Sequence, residues 1–314
     1  MKAFKVIKPG AQTTVQDPGR NRYLQFGIPV CGALDKFSAE IANYLVGNNK
    51  QAAVLEMTFM GPELEVFSQM EVAITGADMS IKVNGNEMPA WQTIALFPGD
   101  VLQVSTVKAG FRGYLAVTGG VDVPEIMGSR STYVGGNFGG LKGRPLKAGD
   151  VLDRLEKSLL GQIRKLPVED QPTLSTSVTL RAVPGPQDDF FDQGLDILFK
   201  TPFTVSDKAD RMGCRLEGSA VKLKPNVPQS IISEPILPGA IQVPPDFQPI
   251  IVLVEMTVGG YAKPATVIGP DLSLVAQIKS GDTVNFQKID LSEAHRICKE
   301  AKDKMARIKS QMAV

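Results

Sequence analysis

Histidine is almost absent from this sequence, because His295 is the only one among 314 residues. It lies in a charged segment with helical spacing near the end of the chain. A Ser-His-Asp triad, a Cys-His pair and a His-based metal site each need a histidine in the body of the protein. The sequence therefore predicts no metal site, and it predicts that any chemistry uses carboxylates, Lys, Arg, Tyr, hydroxyls and backbone amides.

Cysteines, net charge and long apolar runs are also scarce. The three cysteines, Cys31, Cys214 and Cys298, are far apart and odd in number, which fits a reducing cytoplasm. The formal net charge of +1 provides no field to recruit nucleic acid or an anionic membrane. No segment reaches the roughly 20 apolar residues that span a bilayer, and the start lacks the apolar stretch of a signal peptide. We expect a cytoplasmic protein that binds neither nucleic acid nor membranes.

Sequence motifs for the common nucleotide and biotin cofactors are missing. A Walker-type ATP loop needs Gly-x-x-x-x-Gly-Lys-Ser/Thr, and the glycine cluster at residues 135–140 has no Lys-Ser/Thr after it. No Gly-x-Gly-x-x-Gly motif follows a strand with an acidic residue at the dinucleotide spacing. A Met-Lys-Met motif for biotin attachment is also missing. We therefore expect no cofactor to be bound covalently.

Glycine and proline are frequent, at 30 and 22 residues, and they separate many short apolar runs. Short runs between Asn-Gly, Pro-Gly and Gly-Asp turns are typical of β-barrels or β-sandwiches. Two segments have helical spacing: one begins after Asp35, a good N-cap, and ends at Gly47, and the other is the amphipathic tail from residue 292 to about residue 311. Strands are predicted at residues 64–75, 94–104, 112–118, 179–183, 248–254 and 283–286.

The chain length suits two domains, since single cores rarely grow beyond roughly 250–300 residues. Residues 159–172 mix Arg, Lys, Glu, Asp and Gln with two prolines and show little strand pattern, which is typical of a linker. The sequence predicts an N-terminal domain at residues 1–160, a C-terminal domain at residues 173–290 and an amphipathic helix at residues 291–314.

Arginines among glycines and small hydroxyls form the first group of candidate site residues. Such a loop suits a carboxylate or a phosphate, because the guanidinium binds two oxygens and exposed N–H groups add donors. The alternative for a loop arginine is a surface ion pair or a brace on a backbone carbonyl. The sequence has this chemistry at Gly128-Ser129-Arg130-Ser131-Thr132 (the 128–132 loop), at Asp17-Pro18-Gly19-Arg20 and at Asp210-Arg211.

Three further polar residues lie beside apolar runs. Gln242 lies between two apolar residues, and alternation along a strand points it away from both, into a barrel or towards solvent. Glu255 ends the apolar run 250–254, where an ionised carboxylate must be paired or reach a cleft. Tyr261 follows two glycines, where the backbone can approach a ligand, or it packs in a barrel with a satisfied hydroxyl. These residues alone predict a mostly β protein that binds small anions, which is not yet a function.

A family resemblance adds what single residues do not show. Its motifs occur in order from about residue 14 to residue 290: Gln16-Asp17-Pro18-Gly19-Arg20, Gly32-Ala33-Leu34-Asp35, Gly119-Gly120-Val121-Asp122, the 128–132 loop, Asp210-Arg211-Met212-Gly213, Gly239-Ala240-Ile241-Gln242-Val243-Pro244 and Gly259-Gly260-Tyr261. With these motifs the chain resembles the family of 5-oxoprolinase C subunits, also called the allophanate hydrolase subunit 2 or KipA-type, biotin-dependent carboxyltransferase-like family. Three positions depart from the family pattern: Met256 replaces Gln, Ala262 replaces Pro and Arg22 replaces Gly.

The resemblance implies two cyclophilin-like β-barrel domains in tandem, with few short helices and a C-terminal helix. It implies that the chain is the C subunit of an ATP-dependent 5-oxoprolinase, which opens pyroglutamate to glutamate together with an A subunit and a KipI-type B subunit. In one alternative the chain is a non-catalytic, KipA-type antagonist of the KipI-type protein. In another it is a carboxyltransferase component that acts on urea or a similar amide, with biotin on a separate carrier. The departures at Met256 and Ala262 imply a shifted substrate or a reduced activity.

Residue chemistry suggests roles for the candidates in an oxoprolinase. Arg130 is expected to hold a substrate carboxylate or a phosphoryl oxygen, with Ser129 beside it in an anion cradle. Either Glu255 or Asp35 is expected to move a proton. The remaining candidates are expected to bind the lactam or amide substrate, and they are Gly128, Ser131, Thr132, Arg20, Arg211, Gln242 and Tyr261.

Overall fold

The fold, described for residues 1–312 of a computed structural model, is mainly β. These residues form two compact units. The first comprises Met1–Asn21, Cys31–Leu174 and the chain from Arg307 onward, and the second comprises Arg22–Val30 and Ser175–Ala306. Each unit contains one barrel-like sheet. The prediction of a mainly β chain with two barrels, few short helices and a C-terminal helix is confirmed. Residues 22–30, predicted within the N-terminal domain, belong to the second unit.

Ten strands build the sheet of the first unit. Their bounds are β1 Lys2–Lys8, β2 Gln12–Gln16, β3 Val54–Thr58, β4 Glu63–Val66, β5 Met70–Val83, β6 Asn86–Met88, β7 Ile94–Leu96, β8 Val101–Val117, β9 Val121–Asp122 and β10 Val151–Arg154. The sheet runs in the order β2-β3-β8-β4-β1-β10-β9, and β5 pairs with β6, β7 and β8. All of these pairs are antiparallel, so short turns connect many of them.

The core of the first unit follows from alternation along its strands. On β1 the side chains of Phe4 and Val6 are buried, and on the neighbouring β4 those of Leu64 and Val66 are buried. Phe4 lies opposite Val66, and Val6 lies opposite Leu64, so the four apolar side chains meet on one face. The barrel interior is therefore apolar, as the period of two in the sequence requires.

Two predicted strands are each two strands in the structure. The run 64–75 is interrupted between β4 and β5, where the Phe67 N–H donates to the Ala3 carbonyl and the Ser68 hydroxyl donates to the Lys2 carbonyl, both at 2.8 Å. The run 94–104 is interrupted between β7 and β8 by a turn in which the Phe97 N–H donates to the Asp100 carboxylate. Both runs look continuous by hydrophobic periodicity, which does not register a tight turn. The run 94–104 does contain the turn signal Pro98-Gly99-Asp100, whereas residues 67–69 in the run 64–75 include no Gly, Pro, Asn or Asp.

Helix α1, Lys36–Leu45, begins and ends where the sequence predicts. The Asp35 carboxylate accepts hydrogen bonds from the Ser38 N–H at 3.0 Å and from the Ser38 hydroxyl at 2.6 Å. This N-cap satisfies an amide that the helix itself leaves unpaired. Gly47, with a φ of +70°, follows the last turn in the left-handed conformation that favours glycine. Thr75 on β5 donates to the Ser38 carbonyl at 2.8 Å, which attaches the helix to the sheet.

Seven strands close a barrel in the second unit, and two more form a separate ribbon. Their bounds are β11 Ser177–Pro184, β12 Phe203–Val205, β13 Gly213–Gly218, β14 Glu234–Pro235, β15 Ala240–Val243, β16 Ile250–Val252, β17 Val258–Gly259, β18 Ala262–Val267 and β19 Thr283–Lys288. The barrel order is β11-β18-β15-β16-β13-β12-β19, closed by the parallel pair β19 and β11. The ribbon consists of β14 and β17.

The described residues contain three more α-helices, α2 Gln193–Lys200, α3 Leu272–Val275 and α4 Leu291–Met312. The predicted amphipathic tail corresponds to α4, whose Ile297 and Ile308 are buried. Near its end the Arg307 guanidinium donates to the Asp170 carboxylate at 2.6 and 3.2 Å. Residues 313–314 of the predicted helix lie outside the described residues. Within residues 1–312, none of the helices combines the length and the apolar character needed to cross a membrane.

Candidate functional site

Asp17 holds the 128–132 loop in the first unit. Its carboxylate, in a residue only 8% exposed, accepts hydrogen bonds from Ser131 Oγ at 2.5 Å, the Arg130 N–H at 2.6 Å, Ser129 Oγ at 2.7 Å and the Gly19 N–H at 2.8 Å. Both serine hydroxyls are buried. They therefore hold the loop together, and their expected contact with a ligand stays a prediction. Sequence reasoning missed Asp17 as the organising residue, although the Asp-Pro-Gly turn was visible.

Arg130 braces a carbonyl and is also partly accessible. Its Nε donates to the Val123 carbonyl at 3.1 Å, and its Nη1 lies 3.3 Å from the Glu125 carboxylate. The arginine side chain remains 26% exposed. Thr132 of the same loop is buried and donates its hydroxyl to the Val15 carbonyl at 3.0 Å. Arg130 is thus the side chain of the loop that remains accessible to an anion.

Arg20 lies against the 128–132 loop and is 1% exposed. Its Nη2 donates to the Ser131 carbonyl at 2.5 Å, and its guanidinium lies over the Phe138 ring at 4.9 Å from the centroid. Nε and Nη1 have no hydrogen-bond partner among the described residues. Gly139 permits this packing, because a Cβ there would lie 2.9 Å from Arg20 Nη2. Arg20 therefore has two buried nitrogens without a hydrogen-bond partner among the described residues, and its binding role stays a prediction.

The glycine cluster at residues 135–140 does not form a phosphate-binding loop. Tyr133 and Phe138 exchange backbone hydrogen bonds at 2.8 and 3.3 Å, the Asn137 N–H donates to the Val134 carbonyl, and the Gly140 N–H donates to the Arg130 carbonyl. A phosphate loop needs N–H groups that point outward at the ligand. Because the N–H groups of Asn137, Phe138 and Gly140 donate to backbone carbonyls, the cluster does not present the run of successive free N–H groups that would fit the phosphates of ATP.

A buried polar chain joins Asp35 to Glu56 in the first unit, and sequence reasoning missed all of it except Asp35. The Tyr114 hydroxyl accepts the Asp35 N–H at 2.8 Å and donates to Glu56 Oε2 at 2.8 Å. The same carboxylate oxygen accepts the Leu34 N–H at 3.0 Å. A charged residue inside the apolar run 54–57 was the signal that could have identified Glu56. Asp35 acts here as an N-cap, and its expected proton transfer stays a prediction.

The buried Tyr114 hydroxyl should make the free energy of unfolding depend on pH. Burial raises its pKa well above the ordinary value of 10.0, and the nearby Glu56 and Asp35 charges raise it further. The unfolded chain then loses this proton near pH 10 while the folded chain keeps it, so the stabilisation is complete below pH 10 and falls as pH rises. Above pH 10, the wild-type chain should lose free energy of unfolding faster than Tyr114→Phe, by up to about 1.4 kcal/mol per pH unit. Urea unfolding from pH 8 to 11 measures the difference, and parallel curves would contradict it.

The second unit pairs two of the predicted residues in a buried ion pair. Arg211 Nε donates to Glu255 Oε1 at 2.5 Å, and the two side chains are 7% and 8% exposed. The Glu255 N–H also donates to the Arg211 carbonyl at 3.1 Å. The carboxylate at the end of the apolar run is therefore paired, which is one of the two outcomes that its burial required.

Gln242 and Tyr261 both lie beside the β14–β17 ribbon. Gln242 is 2% exposed, and its Nε2 has no hydrogen-bond partner among the described residues. Its carboxamide packs on Gly259 of β17, where a Cβ would lie 2.0 Å from Gln242 Nε2. Tyr261 follows β17 and is 37% exposed. An amide with an unused buried donor beside a glycine backbone is an arrangement that suits a ligand.

Lys263 and Glu234 form a second ion pair that sequence reasoning missed. Lys263, on β18, is 6% exposed, and its Nζ donates to Glu234 Oε1 on β14. The Lys263 N–H donates to Gln187 Oε1 at 3.1 Å. The hydrogen bond from Lys263 and its positive charge hold the pKa of Glu234 below its ordinary value. A lysine inside an otherwise apolar strand segment was the available signal.

The three residues that depart from the family pattern lie in different local environments. Met256 is partly buried and packs against Ile236, Ala240 and Val252. Ala262 is fully buried on β18. Arg22 has a φ of +76°, a left-handed conformation that favours glycine, which explains why a glycine is usual there.

The structure groups the predicted residues within each unit. In the first unit, the 128–132 loop binds the Asp17 carboxylate, and Arg20 donates to the Ser131 carbonyl of the same loop. In the second, Arg211 pairs with Glu255, and Gln242 packs on the ribbon that precedes Tyr261. Among residues 1–312, no three His, Cys, Asp or Glu side chains cluster in a way that could hold a metal ion. Each unit therefore holds its own group of predicted site residues.

A protein-family model matches most of the chain. The model described as carboxyltransferase domain, subdomain A and B, matches residues 26–288. The chain belongs to this carboxyltransferase family. The family resemblance predicted from the motifs is confirmed, since relatives named as the C subunit of 5-oxoprolinase also match.

Two of these relatives and one crystal structure show how much of this member of the carboxyltransferase family is similar to known proteins. The 5-oxoprolinase C subunit of Escherichia coli K12 is 37% identical over 295 residues, which cover 93% of each chain. The corresponding C subunit of Haemophilus influenzae is 33% identical and also covers 93% of each chain. The crystal structure of the K. lactis urea amidolyase superposes with a TM-score of 0.91 at 31% identity. That match covers 98% of this chain but 20% of the amidolyase chain.

Proposed function

We propose that this chain is the C subunit of an ATP-dependent 5-oxoprolinase, which opens pyroglutamate to glutamate in the cytoplasm together with separate A and B subunits. The observation that carries the proposal is the share of each relative's length that this chain matches. The two relatives named as C subunits of 5-oxoprolinase match along 93% of their own length, so this chain resembles a whole subunit of that enzyme. The urea amidolyases contain a similar segment within a much longer chain.

Each unit, taken separately, has contacts that support this proposal. In the first unit, the partly exposed Arg130 and the unused donors of Arg20 suit an anion. In the second unit, the unused Gln242 donor and the exposed Tyr261 suit an oxygen of the substrate, because an amide N–H and a phenol O–H both donate hydrogen bonds. When bound by the complex, ATP would activate the lactam carbonyl. Residues 135–140 of this chain do not fit the phosphates of ATP, so we expect another subunit to bind it.

Reconstitution tests the proposal. Mixed with its cognate A and B subunits, this chain should release glutamate from 5-oxoproline in the presence of ATP, and omitting any of the three proteins should abolish the release. Arg130→Ala should lower the rate about 10- to 100-fold, because one hydrogen bond to a charged group contributes about 1.5–3 kcal/mol.

The matched control is Arg215→Ala, which removes an exposed arginine of β13 and should leave the rate unchanged. An unchanged rate for Arg130→Ala would remove Arg130 from the site. A complex that forms with the KipI-type B subunit but shows no turnover would replace the enzyme proposal by a regulatory one. Failure to bind the KipI-type protein would overturn both.

A carboxyltransferase role is the second candidate, and the similarity to urea amidolyase favours it. The TM-score of 0.91 over 98% of this chain supports a shared domain architecture. In this candidate the chain catalyses transfer of a carboxyl group from biotin on a separate carrier to urea or a similar amide. Biotin- and bicarbonate-dependent carboxylation of urea, with a biotin carboxylase and carrier supplied, would support it. The same mixture would show no 5-oxoproline hydrolysis.

A further inference from the structure

A bulge between two barrel strands brings Gln242 and Lys263 to one face of the second unit. Ile241 on β15 lies opposite Ala265 on β18, but Val243 lies opposite Ala262, so β18 has one residue more between these pairs. Side chains alternate along a strand, and the extra residue turns Lys263 to the face that Gln242 occupies. Bulges often redirect a side chain in this way beside active sites.

The β14–β17 ribbon covers both side chains. Glu234 of β14 lies opposite Gly259 of β17 in the ribbon. Gln242 packs on Gly259, and Lys263 pairs with Glu234. The ribbon therefore places the Glu234 carboxylate and the Gly259 backbone over the two barrel side chains. Gln242 and Lys263 are each more than nine-tenths buried.

The two barrel side chains have more hydrogen-bond donors than the protein uses. Gln242 Nε2 is buried and has no acceptor among the described residues. The Lys263 ammonium has three N–H donors, and among the described residues it donates to Glu234, whose own side chain is 46% exposed. A buried amide donor without an acceptor costs free energy, and a ligand oxygen removes that cost. The exposed side of Glu234 shows that solvent reaches the edge of this cluster.

We propose that Gln242 and Lys263 bind the carboxylate of the small amide or lactam acid on which the complex acts. One carboxylate oxygen accepts from Lys263 Nζ and the other from Gln242 Nε2, while Glu234 competes for the same ammonium. This inference deepens the proposed function and rests on it for the identity of the ligand. It assigns substrate recognition to Lys263, a residue outside the set predicted from the sequence.

Ligand binding to the full-length chain tests this inference. The probes are 5-oxoproline and 2-pyrrolidinone, which share the lactam ring and differ in the carboxylate. Titration calorimetry should detect 5-oxoproline, and 2-pyrrolidinone should bind at least tenfold more weakly. Lys263→Met and Gln242→Leu should each weaken 5-oxoproline binding at least tenfold, and Lys263→Arg should retain most of it. Glu234→Gln should strengthen binding severalfold, because it removes the competing carboxylate.

Lys224→Met is the matched control, since it removes a lysine of the same unit that pairs with Asp192 at 3.2 Å. It should bind 5-oxoproline like the wild type. Equal affinities of the two probes, or wild-type affinity in a folded Lys263→Met chain, would overturn the inference. If Lys263→Met does not fold, the affinity of the Glu234→Gln chain for 5-oxoproline is the test. An affinity equal to or weaker than that of the wild type would overturn the inference.

The outcome is separable from that of the proposed function. If the reconstituted complex does not hydrolyse 5-oxoproline but the carboxylate still binds through Lys263, the oxoprolinase proposal fails and the binding site stands. If the complex is active and Lys263→Met has the wild-type KM, the site fails and the oxoprolinase proposal stands.

Discussion

Replacing Asp17 by alanine is expected to lower the free energy of unfolding by about 3–5 kcal/mol, because four hydrogen-bond donors lose one charged acceptor. Two of the donors are backbone N–H groups and two are the buried hydroxyls of Ser129 and Ser131. Asp17→Asn keeps the shape and one acceptor oxygen, so it should cost about 1.5–3 kcal/mol. Urea unfolding of the three chains at neutral pH measures both values.

A matched control separates this effect from the general loss of a carboxylate in the first unit. Asp153 is exposed on β10, and Asp153→Ala should change stability by no more than about 0.5 kcal/mol. If Asp17→Ala is as stable as Asp153→Ala, the 128–132 loop does not depend on Asp17. In the reconstituted complex, Asp17→Asn should also slow turnover if the loop positions Arg130, because the Arg130 N–H is one of the four donors.

Breaking the ion pair between Arg211 and Glu255 should destabilise the second unit by a similar amount. Arg211→Met leaves the Glu255 carboxylate buried beside an apolar side chain, and the expected cost is about 3–5 kcal/mol. The double variant Arg211→Met with Glu255→Leu removes both charges and should recover stability to within about 1–2 kcal/mol of the wild type. Urea unfolding of the wild type, the two single variants and the double variant gives the coupling free energy between the two residues.

The same variants test the chemical role predicted for Glu255. If Glu255 moves a proton in the reaction, the double variant folds but its complex is inactive. If Glu255 only neutralises Arg211, the double variant keeps most of its turnover. A double variant whose destabilisation equals the sum of the two single losses would show that the residues are not coupled, and the ion pair would then have no special weight in the fold.

The helices show how far local sequence signals reach. Asp35, the apolar spacing after it and Gly47 defined α1 because an N-cap, an amphipathic face and a left-handed C-terminal glycine all act within a few residues. The tail helix was predicted from its amphipathic spacing alone, which is also a local signal. Strands were harder, since the runs 64–75 and 94–104 each contain a turn that the apolar pattern does not reveal. Strand partners are also distant in sequence, and no local signal specifies them.

The candidate residues show where sequence signals end. Arg20, Arg130, Gln242 and Glu255 were visible because a polar residue among glycines or apolar residues is unusual. Their partners were not visible, since Asp17 is more than 100 residues before the serines that it holds. Lys263 was missed because its surroundings depend on a bulge in strand pairing and on a ribbon that covers it. Both features exist only once distant strands meet.

By itself, the sequence determined the mainly β character of this protein, the helices α1 and α4, its family and the chemistry open to a chain with one histidine. These follow from residue type, local periodicity and ordered motifs, which do not require distant parts of the chain to meet. The tertiary structure alone decided that the loop hydroxyls serve Asp17, that Glu255 is neutralised by Arg211, and that Gln242 and Lys263 share one covered face. Each depends on burial and strand register, because a polar group that folding removes from water must bind whatever donor or acceptor the fold places beside it.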